Sequence, residues 1–216
     1  VSDDFLGFPK MARLSRECIV TEKIDGANAQ VLVVEIDGTQ RVYPPHVARV
    51  GNYYICAGSR NRWIAPAADN FGFARWVVEH ADELATLGPG RHFGEWWGSG
   101  IQRGYGLQKG EKRFSLFNVQ RWHGVGETPR EFAKGDPRLP PSVSALAPAC
   151  CHVVPVLWRG NFDAMSVNYT LAGLGMGGSV AAPGFMSPEG IVVFHVAGQV
   201  GFKKTLGHDG AKGANS

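Results

Sequence analysis

Apolar residues in this chain come in short runs, and most runs are closed by glycine, proline or an Asp-Gly pair. Such punctuation favours many short strands joined by turns over a bundle of long helices. Ala27 to Ile36 is rich in valine and leucine and ends at Asp37-Gly38, a strong hairpin turn. Arg41 to Tyr43 is the expected return strand, stopped by Pro44-Pro45. Further strands are expected at Ile19 to Lys23, Asn52 to Arg60, Arg91 to Trp97, Phe114 to Trp122 and Cys151 to Trp158. A last hairpin joins Glu189 to Val196 with Gln199 to Leu206 across Ala197-Gly198. Helical spacing is clearest over Asn70 to Leu87, where Phe73, Trp76, Val77, His80, Ala81 and Leu84 recur and Gly88-Pro89-Gly90 ends the run. Asp163 to Leu174 is a second expected helix, with Asn161 or Asp163 as N-cap. His123 to Pro148 reads as a proline-rich excursion with room for a short helix. Many antiparallel strands with two or three helices make the fold class α+β.

A length of 216 residues suits one domain. A chain this long buries roughly 70% of its unfolded surface and needs no covalent staples. With 44% hydrophobic and 19% charged residues it has globular composition, which excludes a disordered chain. The net charge of +3 is too small to identify a nucleic-acid partner, and it leaves room for a local basic groove. Cys18, Cys56, Cys150 and Cys151 form no CxxC pair, so reduced structural thiols are expected. The opening VSDDFLGFPK lacks the basic and apolar regions of a signal peptide, and no apolar run approaches the roughly 20 residues of a membrane helix. A soluble intracellular protein is expected. The absence of an initiator Met suggests a trimmed domain. There is no repeat and no interdomain linker, so residues 1–206 are read as one domain and 207–216 as a flexible tail.

Several nucleotide and hydrolase motifs are missing: there is no GxxxxGK[ST], no HExxH and no GxSxG. Gly173, Gly175 and Gly178 match GxGxxG, but they follow a helix instead of joining a strand to one. The informative stretch is Glu22-Lys23-Ile24-Asp25-Gly26-Ala27-Asn28. It fits a charged turn between strands, and equally an amine nucleophile. An amine attacks only when neutral, which calls for desolvation or neighbouring cations. Lys203-Lys204 on the last strand are candidate cations that would also grip a phosphate. Glu189 stands at the mouth of an apolar strand, as a turn residue or as a ligand for a divalent metal on phosphate oxygens. Glu95 lies in an aromatic strand beside Trp96 and Trp97, where an acid is costly unless it is bound to something such as a ribose hydroxyl pair. Phe117 offers a face for a base, and Arg60 and Arg62 offer guanidiniums at a strand end. The basic stretch of Arg103, Lys109, Lys112 and Arg113 is either a strand-binding loop or a solvated one.

Taken in order, these pieces resemble the covalent nucleotidyltransferases, the polynucleotide ligases and mRNA capping enzymes. Lys23-Ile24-Asp25-Gly26 looks like their nucleophile motif KxDG. Ser59-Arg60, Phe93-Gly94-Glu95, Phe114 to Val119, Glu189 to Val193 and Phe202-Lys203-Lys204 resemble the motifs that follow, so the match spans residues 20 to 206. Asn28 resembles the bacteriophage nick-sealing RNA ligases and kinetoplastid editing ligases, whereas DNA ligases and capping enzymes usually carry arginine there. Two positions depart from the pattern. The RNA branch often has histidine where this chain has Asp25, and it spaces the last lysines as KxK, whereas Lys203 and Lys204 are adjacent.

The resemblance implies two antiparallel β-sheets flanked by helices with a nucleotide cleft between them, the ATP-grasp-like adenylyltransferase domain. It implies an ATP-dependent RNA ligase acting with Mg²⁺ or Mn²⁺ on RNA ends or nicks. Lys23 would form lysyl-AMP, pass AMP to a 5′-phosphate and seal it to a 3′-hydroxyl. Lys203 (favoured as the principal lysine), Lys204 and Glu189 would assist, with Glu189 on the metal. Glu22, Asp25, Gly26, Asn28, Arg60, Glu95 and Phe117 would form the nucleotide pocket, with Glu22 at the adenine edge, through its side chain or through its backbone alone. Arg62, Arg103, Lys109, Lys112 and Arg113 would meet nucleic acid. No OB-fold or C-terminal domain, no membrane partner, a monomer and a bacterial or phage-infected cytoplasm complete the expectation. A minimal DNA nick ligase, a GTP-using capping enzyme, a fragment that only labels itself and a non-catalytic nucleic-acid-binding relative stay open as alternatives.

Overall fold

A computed structural model describes residues 7–8, 11–38, 43–132 and 142–207. The chain opens with β1 (Glu17–Lys23) and β2 (Ala27–Glu35), then the short hairpin of β3 (Ala48–Val50) and β4 (Tyr53–Ser59). Helices α1 (Phe73–Glu79) and α2 (Ala81–Ala85) lead into β5 (Gly90–Gly98) and β6 (Lys112–Leu116). Four two-residue strands follow: β7 (Trp122–His123), β8 (Glu131–Phe132), β9 (Ser142–Val143) and β10 (Ala145–Leu146). The last third holds β11 (Cys151–Val153), β12 (Val156–Asn161), α3 (Ala164–Gly177), β13 (Gly190–His195) and β14 (Val200–Thr205).

Two sheets carry the mixed α+β architecture. One has the order β12-β1-β13-β14 and the other β11-β6-β5-β2-β4-β3. The first is antiparallel throughout. The second departs from that expectation at one edge, where β11 runs parallel to β6. The excursion between β6 and β11 is long enough to bring the chain back in the same direction.

Alternation along the strands gives each sheet one helix-covered face. Ala29, Val31 and Val33 of β2 are buried while Asn28, Gln30 and Leu32 are not. The buried side packs with Phe73, Ala74, Val77 and Leu84 of the first two helices. Cys18 and Val20 of β1, with Ile191 and Val193 of β13, pack on Val167 and Leu174 of α3. The uncovered faces of the two sheets meet across a cleft, and the chain passes between the sheets at Ile24–Gly26 and again at Val154–Pro155.

Several expected boundaries move. The strand expected over Cys151 to Trp158 is two strands in two sheets, divided at Pro155, whose carbonyl accepts the Glu22 N–H at 3.0 Å. The strand from Phe114 stops at Leu116, because the chain bends at Asn118, whose side chain accepts the Arg121 N–H. The helix expected from Asn70 starts at Phe73 and breaks at His80, where φ is −111°. Asp69 caps its start by accepting from the N–H groups of Gly72, Ala74 and Arg75. Asp163 caps α3 through Ser166 N–H. Gly173 and Gly175 lie inside α3 with Gly178 at its C-cap, so the GxGxxG match is not a strand-to-helix loop. The expected partner of β2 at Arg41 to Tyr43 lies outside the described residues except for Tyr43, and β2 pairs with β4 and β5. Residues 133–141 of the proline-rich excursion and the tail beyond 207 also lie outside them; the described parts of the excursion form β7 to β10. The four cysteines are free thiols. No helix of the described residues is long and apolar enough to cross a membrane.

Candidate active site

Strand β1 ends at Lys23, paired with Gly190 at the start of β13. That pairing brings Lys23 Nζ to 2.5 Å from Glu189 Oε2, and both side chains are largely shielded, at 24% and 18% exposure. Only glycine fits next to Glu189: a Cβ on Gly190 would lie 2.2 Å from the Lys204 carbonyl oxygen. The first partner of the amine is thus a carboxylate, not a cation.

The turn that follows is held residue by residue. The Asp25 N–H donates to Tyr105 Oη at 2.8 Å, Arg103 Nε donates to Asp25 Oδ2 at 2.9 Å, and the Gly26 N–H donates to Glu95 Oε1 at 3.1 Å. A Cβ on Gly26 would sit 2.5 Å from the Trp96 carbonyl oxygen, so a side chain here would push β2 off β5. Asn28 stands opposite Glu95 in the β2–β5 register and donates to Glu95 Oε2 at 2.8 Å. Arg60 in turn donates to Asn28 Oδ1, from Nε at 2.7 Å. Arg60, Asn28, Glu95 and the Gly26 N–H therefore form one chain of hydrogen bonds. Burial pushes the Glu95 carboxyl up to about 7, against the pull of the Asn28 and Gly26 donors and of nearby Lys23.

A cavity of about 600 Å³ lies between the sheets. Thr21, Lys23, Val192 and Lys203 line it from the four-stranded sheet; Asn28, Arg60, Phe93, Glu95 and Phe117 line it from the other side. Phe117 is 41% exposed and free to present a ring face to the cavity.

The adjacent lysines part company, as alternation along a strand requires. Lys203 lines the cavity, whereas Lys204 points to the opposite face and donates to Asn168 Oδ1 of α3 at 2.5 Å. Lys204 therefore does not join the site. Glu22 is also turned away. Its carboxylate is 1% exposed and accepts from Ser179 Oγ at 2.6 Å and from the N–H groups of Val180 and Ala181 at 2.8 and 2.9 Å. Any contact from Glu22 to a base in the cavity would be through its backbone. Asp25 and Gly26 shape the turn and do not line the cavity.

Of the five basic residues expected on nucleic acid, three are engaged by the protein itself. Arg103 faces Asp25 and the Ser187 carbonyl. Lys112 donates to the Phe71 carbonyl at 2.8 Å, on the α1 side of the sheet. Arg113 binds Glu111 and lies over the Trp97 ring. Arg62 and Lys109 are exposed. Other residues carry no motif signal yet stand at the site. Arg91 and Arg121 line the cavity, and Tyr105 is buried beneath the Lys23 turn. Burial pushes the Tyr105 phenol well up, so it stays a neutral hydroxyl. Phe93 was within reach of the sequence, since it shares a strand face with Glu95 two residues on.

Sequence comparison with curated proteins finds no match. The fold is similar to solved structures of Naegleria gruberi RNA ligase. An apo point mutant superposes with TM-score 0.52 at 16% identity, covering 88% of this chain and 50% of that one. Two mutants with ATP and Mn superpose with TM-score 0.51 at 16% and 18% identity, covering 88% and 89% of this chain and 49% and 50% of theirs. The chain thus spans about half the length of those structures. A sequence model of the RNA ligase family matches residues 16–205, from the threshold of β1 to the last residue of β14. With that family pattern running through both sheets and the cleft between them, the chain belongs to the RNA ligase family.

Proposed function

We propose that this chain is the nucleotidyltransferase core of an ATP-dependent RNA ligase. Lys23 takes AMP from ATP, AMP passes to a 5′-phosphate end of RNA, and a 3′-hydroxyl displaces it to seal the strand. The observation that carries this reading is the Lys23 amine, paired with Glu189 at 2.5 Å and facing the cavity that Glu95, Arg60 and Lys203 also line. Phosphoryl transfer asks the protein for in-line placement and neutralised oxygens more than for elaborate acid-base chemistry.

The division of labour follows from position. To attack, the amine parts from Glu189, the nearest carboxylate, and releases its proton to solvent, which frees the nitrogen lone pair. The bond from Lys23 Nζ to the α-phosphorus forms as the bond to pyrophosphate breaks. Lys203 and Arg60 bring positive charge to the phosphate oxygens. Glu95 accepts from the ribose hydroxyls, and Phe117 stacks on adenine with Val192 facing it across the cavity. Among the described residues no three histidine, cysteine, aspartate or glutamate side chains form a ready metal cage. That suits Mg²⁺ or Mn²⁺ held by Glu189 and substrate phosphates, since such ions often bind through one or two carboxylates plus phosphate. When bound, the ion supplies further charge neutralisation on those phosphates.

The test is incubation with α-labelled ATP and Mg²⁺ or Mn²⁺. A covalent protein adduct is expected, stable to base and labile to acid as a phosphoramidate, absent in Lys23→Ala and absent with labelled GTP. A wild type that stays unlabelled with every nucleotide and metal would overturn the proposal.

A further inference from the structure

Between β5 and β6, residues 100–106 form a tight turn in which Gln102 and Tyr105 take φ values of 44° and 53°. Non-glycine residues adopt left-handed backbone rarely, and only where the surroundings hold them there. Two grips hold this turn. Tyr105 is 2% exposed; its hydroxyl accepts the Asp25 N–H, and its ring lies 4.6 Å from that of Phe185. Arg103 donates through Nε to Asp25 Oδ2 at 2.9 Å and through Nη1 to the Ser187 carbonyl at 3.0 Å. Asp25 follows Lys23 by two residues, and Ser187 precedes Glu189 by two. One arginine therefore ties the turn after Lys23 to the segment that bears its carboxylate partner. One tyrosine touches the same two segments.

We propose that Arg103 and Tyr105 are positioning residues for the attack of Lys23, fixing where its amine lies and points relative to Glu189 and the nucleotide; this rests on the lysyl-AMP reading above. It gives the aspartate of Lys23-Ile24-Asp25-Gly26 a definite partner, a guanidinium that grips two segments at once. It engages the Arg103 guanidinium within the protein, although the side chain stays at the surface. Neither residue lines the cavity, so the clamp acts on chemistry through the Lys23 turn and leaves nucleotide binding alone. In-line displacement is sensitive to such placement, with a 1 Å error able to cost about 100-fold in rate.

Single-turnover self-labelling with α-labelled ATP and Mn²⁺, run across ATP concentrations, reads this directly. In Tyr105→Phe and Arg103→Ala the maximal labelling rate should fall at least about 10-fold while half-saturating ATP shifts less than about 2-fold. Arg103→Lys should recover part of the rate. The losses in Asp25→Ala and Arg103→Ala should not add in the double variant. Tyr105→Phe keeps the ring and its packing, so its unfolding midpoint should stay near that of the wild type, and Arg103 lies at the surface. Unchanged maximal rates overturn the proposal. So does a rate loss that merely tracks half-saturating ATP, or strict additivity of the two losses. A wild type that takes no label removes the lysyl-AMP reading and this proposal together; a labelled wild type with fully active variants removes the proposal alone.

Discussion

Glu95 sits where burial and hydrogen bonding pull in opposite directions. Burial lifts its carboxyl from an ordinary 4.5 to about 7, although Asn28 and Gly26 both donate to it. The folded protein therefore holds a proton there more tightly than the unfolded chain does. The stabilisation from that proton is complete below about pH 4.5 and is lost as pH rises through 7. Glu95→Gln cannot ionise, so its stability relative to wild type should improve by on the order of 3 kcal/mol between pH 4 and pH 8. Urea unfolding of both proteins at each pH measures the difference; a gap that does not move with pH contradicts the assignment. The same titration acts on the ligand. Ribose hydroxyls donate best to the ionised carboxylate, so ATP affinity should tighten as pH climbs through 7 in the wild type and show no such rise in the variant.

At the level of elements, legibility in the sequence followed how local each cause is. β2 and β13 are readable because their valine-rich apolar runs and closing turns are written within a few residues. Lys23, Glu95, Glu189 and Lys203 are readable because each belongs to a short motif; Lys23, Glu95 and Lys203 line one cavity, and Glu189 is paired with Lys23. What was not readable depends on partners far along the chain. The division of Cys151 to Trp158 at Pro155 follows from two sheets competing for one apolar run. Glu22 borders the cavity beside Lys23, but strand alternation turns its carboxylate away, to the Ser179 hydroxyl and the N–H groups of Val180 and Ala181. Tyr105 and Arg103 meet Asp25 only after the chain has travelled through four more strands. The start of α1 shows the local kind of cause, since its Gly72 N-cap makes no side-chain bond and Asp69 accepts three N–H groups instead. Asp69→Ala should destabilise the fold by about 1–2 kcal/mol, the usual range for a lost cap, while Asp69→Asn should retain most of that. Thermal unfolding of both variants decides it, and equal loss in the two would mean that charge matters here more than capping.

Across the whole molecule, stability is unevenly shared between the walls of the cleft. The six-stranded sheet and its two helices belong to a large core that runs from Val31 and Ile55 through Phe73, Trp97 and Phe114. Between the four-stranded sheet and α3 lies a smaller cluster, with six buried apolar side chains among the described residues. Local opening should start in the smaller unit, because opening free energy follows the apolar contacts that must be broken. The proposed nucleotide bridges both walls, touching Lys23 and Lys203 on one side and Asn28, Arg60, Glu95 and Phe117 on the other. A ligand that requires both walls in place adds its binding free energy to the weaker one. Lys23→Ala, which cannot form the adduct, isolates that effect. Without nucleotide, amides of β13, β14 and α3 should exchange with deuterium well before those of β2 and β5. With ATP at about 100 times its Kd, exchange in β13 and β14 should slow by up to about 100-fold, with β2 and β5 changing far less. Equal exchange in both sheets before ATP, or uniform slowing after it, would show that the cleft opens as one unit with the rest of the fold.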